Sequence, residues 1–267
     1  MDISTILGYI GALFIGVVLG LIGGGGSILT VPVLVYLLHI NPVTATAYSL
    51  FVVGASSLVG AIQNIQKKLV DFRTAIVFAI PAFIAVYSTR KFIVPAIPEQ
   101  LFTLGSFVVT KNIAIMVFFA IIMLLASFSM IKDKRDNSQN ENESVAYNYP
   151  LIIVEGIVVG ILTGIVGAGG GFLIIPALVL LAKLPMKKAV ATSLLIIAIK
   201  SLIGFIGDVE NLEIDWNFLF VFTIISIIGI FIGGYISNFI EGKKLKKAFG
   251  WFVLLMGIYI IYKELTK

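Results

Sequence analysis

Two glycine tracts carry the clearest chemical potential in this chain. They are Gly20-Leu21-Ile22-Gly23-Gly24-Gly25-Gly26-Ser27 and Gly164-Ile165-Val166-Gly167-Ala168-Gly169-Gly170-Gly171. Consecutive glycines do not carry an α-helix comfortably, since each costs about 1 kcal/mol relative to alanine. Each tract opens into an apolar run of helical character. The free N–H groups and positive end of that helix then point back at the glycines, and converging backbone donors of this kind bind anions. The competing reading is mechanical: small residues let two helices approach closely.

Lys200 is the candidate counter-charge. It lies inside an apolar run over residues 189–206, where a charged side chain costs about 2.5–3.5 kcal/mol on insertion scales. It would pair with an anionic solute or take part in a structural ion pair. The hydroxyl pairs Tyr48-Ser49 and Thr192-Ser193 occupy equivalent places in two apolar runs. They are candidate donors to the same anion, or interhelical glue. The expected solute-binding set is therefore Gly23, Gly24, Gly25, Gly26, Ser27, Ser49, Gly169, Gly170, Gly171, Thr192, Ser193 and Lys200.

Other polar positions have simpler explanations. Asp71 and Asp215 precede aromatic residues at helix starts and read as N-caps. Gln63-Asn64 and Gly207-Asp208 read as helix ends, and Glu155 as a carboxylate reaching the membrane interface. The prolines at 32 and 176 should bend the short helices that contain them. The chain has no cysteine and one histidine, His39, which excludes disulfides, thiolate chemistry and histidine clusters. No metal, cofactor or catalytic residue is expected. An ATP-binding motif of the GxxxxGK[ST] type does not occur.

The elements that must position these residues follow from hydropathy. The chain of 267 residues is 59% apolar and 12% charged, with a mean hydropathy of +1.09. That charged fraction is about half of what a soluble domain carries, and a water-soluble fold could not bury so much apolar surface. Lipid must be the solvent. The net charge of +5 comes from basic residues in short loops between apolar runs, a pattern of membrane topology rather than of nucleic-acid binding. A helix needs about 20 apolar residues to span hydrocarbon. On that measure ten segments emerge, over residues 4–22, 28–40, 45–63, 72–87, 112–131, 151–166, 172–182, 189–206, 216–239 and 248–262. The second and seventh are short, follow the glycine tracts, and read either as short crossings or as returning arms of re-entrant hairpins.

The chain is duplicated. Adding 144 to each residue number superimposes residues 16–73 on 160–217 without a gap, with 19 of 58 positions identical. The scarce residue types carry the match: Gly16, Gly20, Gly23, Gly25, Gly26, Pro32, Ser49, Ser57, Gly60 and Asp71 all recur. Residues 1–131 form a first membrane repeat, 132–149 a polar linker, and 150–267 a second repeat. With the N-terminus outside, 13 of 19 basic residues face the cytoplasm and five lie outside, which satisfies the positive-inside rule. Both termini are then extracytoplasmic, the linker is cytoplasmic, and the repeats have inverted topology, a recurring transporter design.

Two signatures resemble those of the sulfite exporter TauE/SafE family. The first is Gly23-Gly24-Gly25-Gly26-Ser27-Ile28-Leu29-Thr30-Val31-Pro32-Val33-Leu34 with Ala45-Thr46-Ala47-Tyr48-Ser49-Leu50. The second is Gly167-Ala168-Gly169-Gly170-Gly171-Phe172-Leu173-Ile174-Ile175-Pro176-Ala177-Leu178 with Ala189-Val190-Ala191-Thr192-Ser193-Leu194. The resemblance implies an inner-membrane transporter of sulfur oxyanions such as sulfite or organosulfonates; the spacing alone implies only an anion-friendly site. The expectation is an all-α membrane protein that moves a small anion, its partners being that solute and the bilayer. A homodimer is left open. A passive anion channel is the nearest alternative, and an intramembrane hydrolase using Lys200 with a serine a more distant one.

Overall fold

In lipid every backbone polar group must find its partner within the protein, and the apolar runs coil accordingly. The computed structural model describes residues 3–104, 107–132, 149–180, 182, 184–237, 239 and 242–266. Of the linker expected at 132–149, residues 133–148 lie outside those described, and residues 132 and 149 are helix ends. Helix α1 (Ile3–Ile22) ends where Gly23 takes φ +74. The chain then returns as a composite helix: a 3-10 stretch Gly24–Leu29, the short α2 (Thr30–Pro32) and a π-helical turn Val33–Leu37. Next come α3 (Pro42–Gln66) and α4 (Phe72–Ser88), which continues through a π-helical turn Thr89–Ile93 into α5 (Val94–Ala96). After the hairpin β1 (Gln100–Leu104) and β2 (Phe107–Thr110) follow α6 (Lys111–Lys132), α7 (Tyr149–Val166), α8 (Gly171–Leu180), α9 (Met186–Val209), α10 (Trp216–Ile236) and α11 (Gly242–Leu265).

Six of these helical stretches are long and apolar enough to cross a membrane, and Gly26–Leu37 and Pro150–Val166 are shorter apolar helices. Their outer faces confirm the solvent. On α4, Ile76, Ile80 and Ile84 are exposed on one side while Ala75, Phe78, Ala79, Ala82 and Val86 are buried on the other. A helix apolar all round suits lipid, not water.

Local signals explain the helix ends. Asp71 Oδ1 accepts from Thr74 N at 2.8 Å, and Asp215 Oδ1 from Phe218 N at 3.0 Å, the capping expected of both. Asn41 caps α3 by accepting from Val43 N at 2.9 Å, with Pro42 in the first turn. The π-helical turn directly after Pro32 fits the expected bend, since proline leaves a carbonyl without its donor.

Two features differ from the sequence expectations. The hairpin occupies residues to which no element was assigned; Pro98 stops the preceding helix, and the β-branched and aromatic residues of Phe102-Thr103 and Val108-Val109 then pair across. The first glycine tract is itself helical from Gly24 onwards rather than a break up to Ser27. Tertiary contact overrides propensity here. A Cβ on Gly26 would lie 2.5 Å from Leu19 N and 3.0 Å from Ile15 O, so only glycine lets the returning strand of the chain lie backbone-to-backbone on α1. That return is nearly complete: a Cβ on Gly11 would meet Val33 Cγ1 at 2.8 Å, and one on Gly8 would meet Leu38. The short helix runs antiparallel to α1 for most of its length.

Helix pairing exchanges under the duplication. Gly16 and Gly20 of α1 pack on Ser226, Gly229, Ile230 and Gly233 of α10; Gly160 and Gly164 of α7 pack on Ala82, Ala85 and Thr89 of α4. These contacts map onto one another when 144 is added or subtracted. The same holds for Gly60 with Ile230 and Gly204 with Val86, both at 2.9 Å from the built Cβ. Helices α3 and α9, which are repeat equivalents, run antiparallel. A Cβ on Gly54 would meet Leu202 Cγ at 2.9 Å, and one on Gly60 would meet Leu194 Cδ1 at 3.3 Å. The halves therefore interlock, each lending a helix to the other's flank.

Candidate anion-binding site

The antiparallel pair α3 and α9 brings the glycine tracts together. A Cβ on Gly169 would lie 3.3 Å from Ser27 Cβ, 2.9 Å from Ile197 Cγ2, and against Val53. Val53 and Ile197 are themselves repeat equivalents, so this contact marks the centre of the duplicated core. Gly23, Gly26, Ser27 and residues 167–171 are all buried. Gly167 and Gly170 take φ +70 and +72, a left-handed backbone that glycine adopts without steric cost, and α8 starts at Gly171.

Lys200 reaches this centre from α9. Its side chain is fully buried, and its Nζ donates to Thr163 Oγ1 at 2.8 Å. The amine would also lie 3.1 Å from a Cβ on Gly170, so a residue larger than glycine there would crowd it. Thr163 in turn donates to Val159 O at 2.7 Å, which leaves its oxygen to accept from the lysine. No carboxylate stands within ion-pair distance of Lys200 among the described residues. Buried hydroxyls without partners among the described residues lie on both central helices: Ser49 and Ser57 on α3, Ser201 on α9. Ser49 is one helical turn before Val53. Buried polar groups are normally hydrogen-bonded, so these hydroxyls and the lone amine are capacity that an anion could use.

The remaining expected site residues are placed as follows. Ser193, one turn before Ile197, donates to Val190 O at 2.8 Å within its own helix. Thr192 Oγ1 accepts from Asp71 N at 3.0 Å. It therefore supports the entry to α4, and its equivalent Tyr48 accepts from Asp215 N at 2.7 Å. Gly24 and Gly25 lie in the 3-10 stretch. The structure thus gathers Ser27, Gly169, Gly170 and Lys200 at one place, and turns Thr192 to a neighbouring loop.

Sequence reasoning missed a buried ion pair. Arg90, expected in an external loop, is fully buried, and its Nε donates to Asp208 Oδ2 at 2.6 Å. Its Nη1 donates to Thr46 Oγ1 at 2.9 Å and to Gly164 O at 3.1 Å. The available signal was the apolar Phe92-Ile93-Val94 after Arg90, which carries α4 onward past the arginine. Asp208 is no mere helix end, since its carboxylate neutralises this guanidinium.

The sequence model of the family described as Sulfite exporter TauE/SafE matches residues 9–260. A probable membrane transporter protein of Xylella fastidiosa (strain 9a5c) is 27% identical over 256 residues, covering 94% of this chain and 92% of that protein. The probable membrane transporter protein YunE of Bacillus subtilis (strain 168) is 29% identical over 273 residues, covering 94% and 95%. A probable membrane transporter protein of Methanocaldococcus jannaschii, MJ0441, is 37% identical over 117 residues, 42% of this chain and 44% of that protein. No solved structure matches.

Proposed function

The chain belongs to the sulfite exporter TauE/SafE family and is a multi-pass membrane transporter, and on that premise we propose that it exports a small sulfur-containing oxyanion, such as sulfite or an organosulfonate, by alternating access. The observation that carries the reading is Lys200: a buried amine at the junction of the two glycine tracts, hydrogen-bonded to a threonine and, among the described residues, with no carboxylate within ion-pair distance. Its burial costs solvation that one hydroxyl only partly returns. An oxyanion beside it would supply the missing charge, and Ser49, Ser201 and the backbone donors of the glycine tracts would complete the coordination.

Alternating access in this reading works through inverted repeats in the inner membrane, with both termini extracytoplasmic. Support comes from the antiparallel run of the equivalent helices α3 and α9 and from the exchanged pairing of α1 with α10 and α4 with α7. Rocking one repeat against the other would expose the central site to each side in turn.

Reconstituted protein loaded with sulfite should accumulate labelled sulfite by counterflow, and Lys200→Met should abolish this while the protein stays folded. Flux without saturation or counterflow would identify a passive channel instead. Undiminished counterflow by Lys200→Met would remove the lysine from the site.

A further inference from the structure

We propose that Arg90 is a second anion-binding residue, lying between the Lys200 site and the membrane surface, and that Asp208 is a tethered carboxylate that holds it until a solute oxyanion displaces it. The ligand class, a small oxyanion, rests on the transport reading above.

Four observations converge on this pair. First, Arg90 joins four helical elements at one end of the molecule: its own, α9 through Asp208, α3 through Thr46 and Val43, and α7 through Gly164. A path from the centre that opened between these elements would have to part those bonds. Secondly, the architecture does not need the charges. The repeat equivalents of Arg90, Asp208, Thr46 and Gly164 are Gly234, Asn64, Val190 and Gly20. At that opposite end the helices are closed by backbone packing, with Gly20 against Gly234 and Asn64 bonding to Gly60 O in its own helix. The ion pair has thus been added to one end of a duplicated frame that closes without it.

Thirdly, Arg90 and Lys200 converge on consecutive residues of α7. Arg90 grips the carbonyl of Gly164 and Lys200 the hydroxyl of Thr163, while Asp208 stands about 12 Å farther along α9 than Lys200 at the helical rise of about 1.5 Å per residue. An anion leaving the lysine towards that end meets the guanidinium next. Fourthly, the hydrogen bonding around Arg90 leaves room for exchange. Only Nε is hydrogen-bonded to the carboxylate, a single bond where a guanidinium offers a two-pronged fork to an oxyanion. The hydroxyl of Thr89, fully buried and packed on Gly164, has no partner among the described residues and is a further donor beside the arginine.

The displacement model and a purely structural role predict opposite signs. A structural pair would lose function and stability together when Asp208 is neutralised, as happens when one partner of a buried pair is removed. A tethered competitor, once removed, leaves Arg90 open to solute. The test uses the purified full chain in detergent, with sulfite as the probe, titrated calorimetrically and by thermal unfolding. Asp208→Asn should bind sulfite on the order of tenfold more tightly than the unaltered protein, because a tethered group competes at high effective concentration. Adding Arg90→Gln should erase the gain, and sulfite should raise the unfolding temperature of Asp208→Asn more than that of the unaltered protein. An Asp208→Asn protein that folds only when sulfite is present also supports the proposal. Unchanged or weaker affinity, a gain that survives Arg90→Gln, or an unfolded variant that sulfite does not rescue would overturn it. Should the unaltered protein bind sulfite through Lys200 while Asp208→Asn gains nothing, the displacement idea fails alone. Should Asp208→Asn gain affinity in a protein whose binding ignores Lys200→Met, the Lys200 site fails and the Arg90 site stands.

Discussion

The hydroxyl of Thr192 accepts a hydrogen bond from the backbone N–H of Asp71 at 3.0 Å, so a side chain of the second half supports the turn that enters a helix of the first. Tyr48 and Asp215 make the reciprocal bond at 2.7 Å. Thr192→Val and Tyr48→Phe should each lower stability by about 0.5–1.5 kcal/mol, the net worth of such a bond, with sulfite affinity unchanged. Thermal unfolding and titration of both variants check this. Loss of affinity at unchanged stability in Thr192→Val would return that hydroxyl to the solute.

At the centre, Gly169 has no space for a side chain, because a Cβ there would be crowded by Val53, Ile197 and Ser27. Gly169→Ala should destabilise the protein by about 1–3 kcal/mol through overpacking. Trimming the opposing residue in the double variant Gly169→Ala/Val53→Ala should recover much of that loss. Absence of any recovery would mean that the glycine is required for its backbone rather than for space.

Where α1 meets α10, Gly16 and Gly229 face each other so closely that a Cβ on either would stand 2.9 Å from the other's α-carbon. Valine at Gly16 or at Gly229 should therefore give the same defect, a protein of sharply lowered unfolding temperature. The double valine variant should lose less than the sum, since one contact is broken twice. Full additivity would place the two residues apart.

Orientation can be read by labelling, which the cysteine-free chain makes simple. Cysteine at Ser4, where α1 starts, should react with an impermeant reagent added outside intact cells. Cysteine at Lys67, the exposed cap of α3 at the opposite end, should react only after the membrane is opened. The reverse pattern would invert the topology proposed from the basic residues.

Much of this protein was legible in its residues because the relevant physics is local. A run of apolar residues commits to a helix in lipid whatever its neighbours do, so most segment positions followed from hydropathy, and the fourth ran on past Arg90 only because Phe92-Ile93-Val94 are apolar too. Asp71 and Asp215 cap their own first turns, a bond that spans three residues. The duplication was visible because glycine, proline and serine are scarce enough to align without ambiguity. A break within each glycine tract could be expected from the conformational freedom of glycine, but not its position, which is Gly23 in the first tract, with helix resuming at Gly24.

The partnerships were decided only by tertiary structure. Hydropathy says that a helix spans the membrane but not which way each face is turned, because lipid accepts every apolar face equally. Arg90 finds Asp208 across 118 residues and Thr192 finds Asp71 across 121; neither pairing exists until α3, α4, α7 and α9 are packed. The glycines divide in the same way. Gly26 is needed because the backbone of α1 lies against it, a close approach between two segments that no property of the tract itself reveals. Lys200 stood out in the sequence as a charge inside an apolar run. That it donates to Thr163 and lies beside Gly170, with no carboxylate within ion-pair distance among the described residues, was decided only by packing, because these contacts join segments distant in sequence.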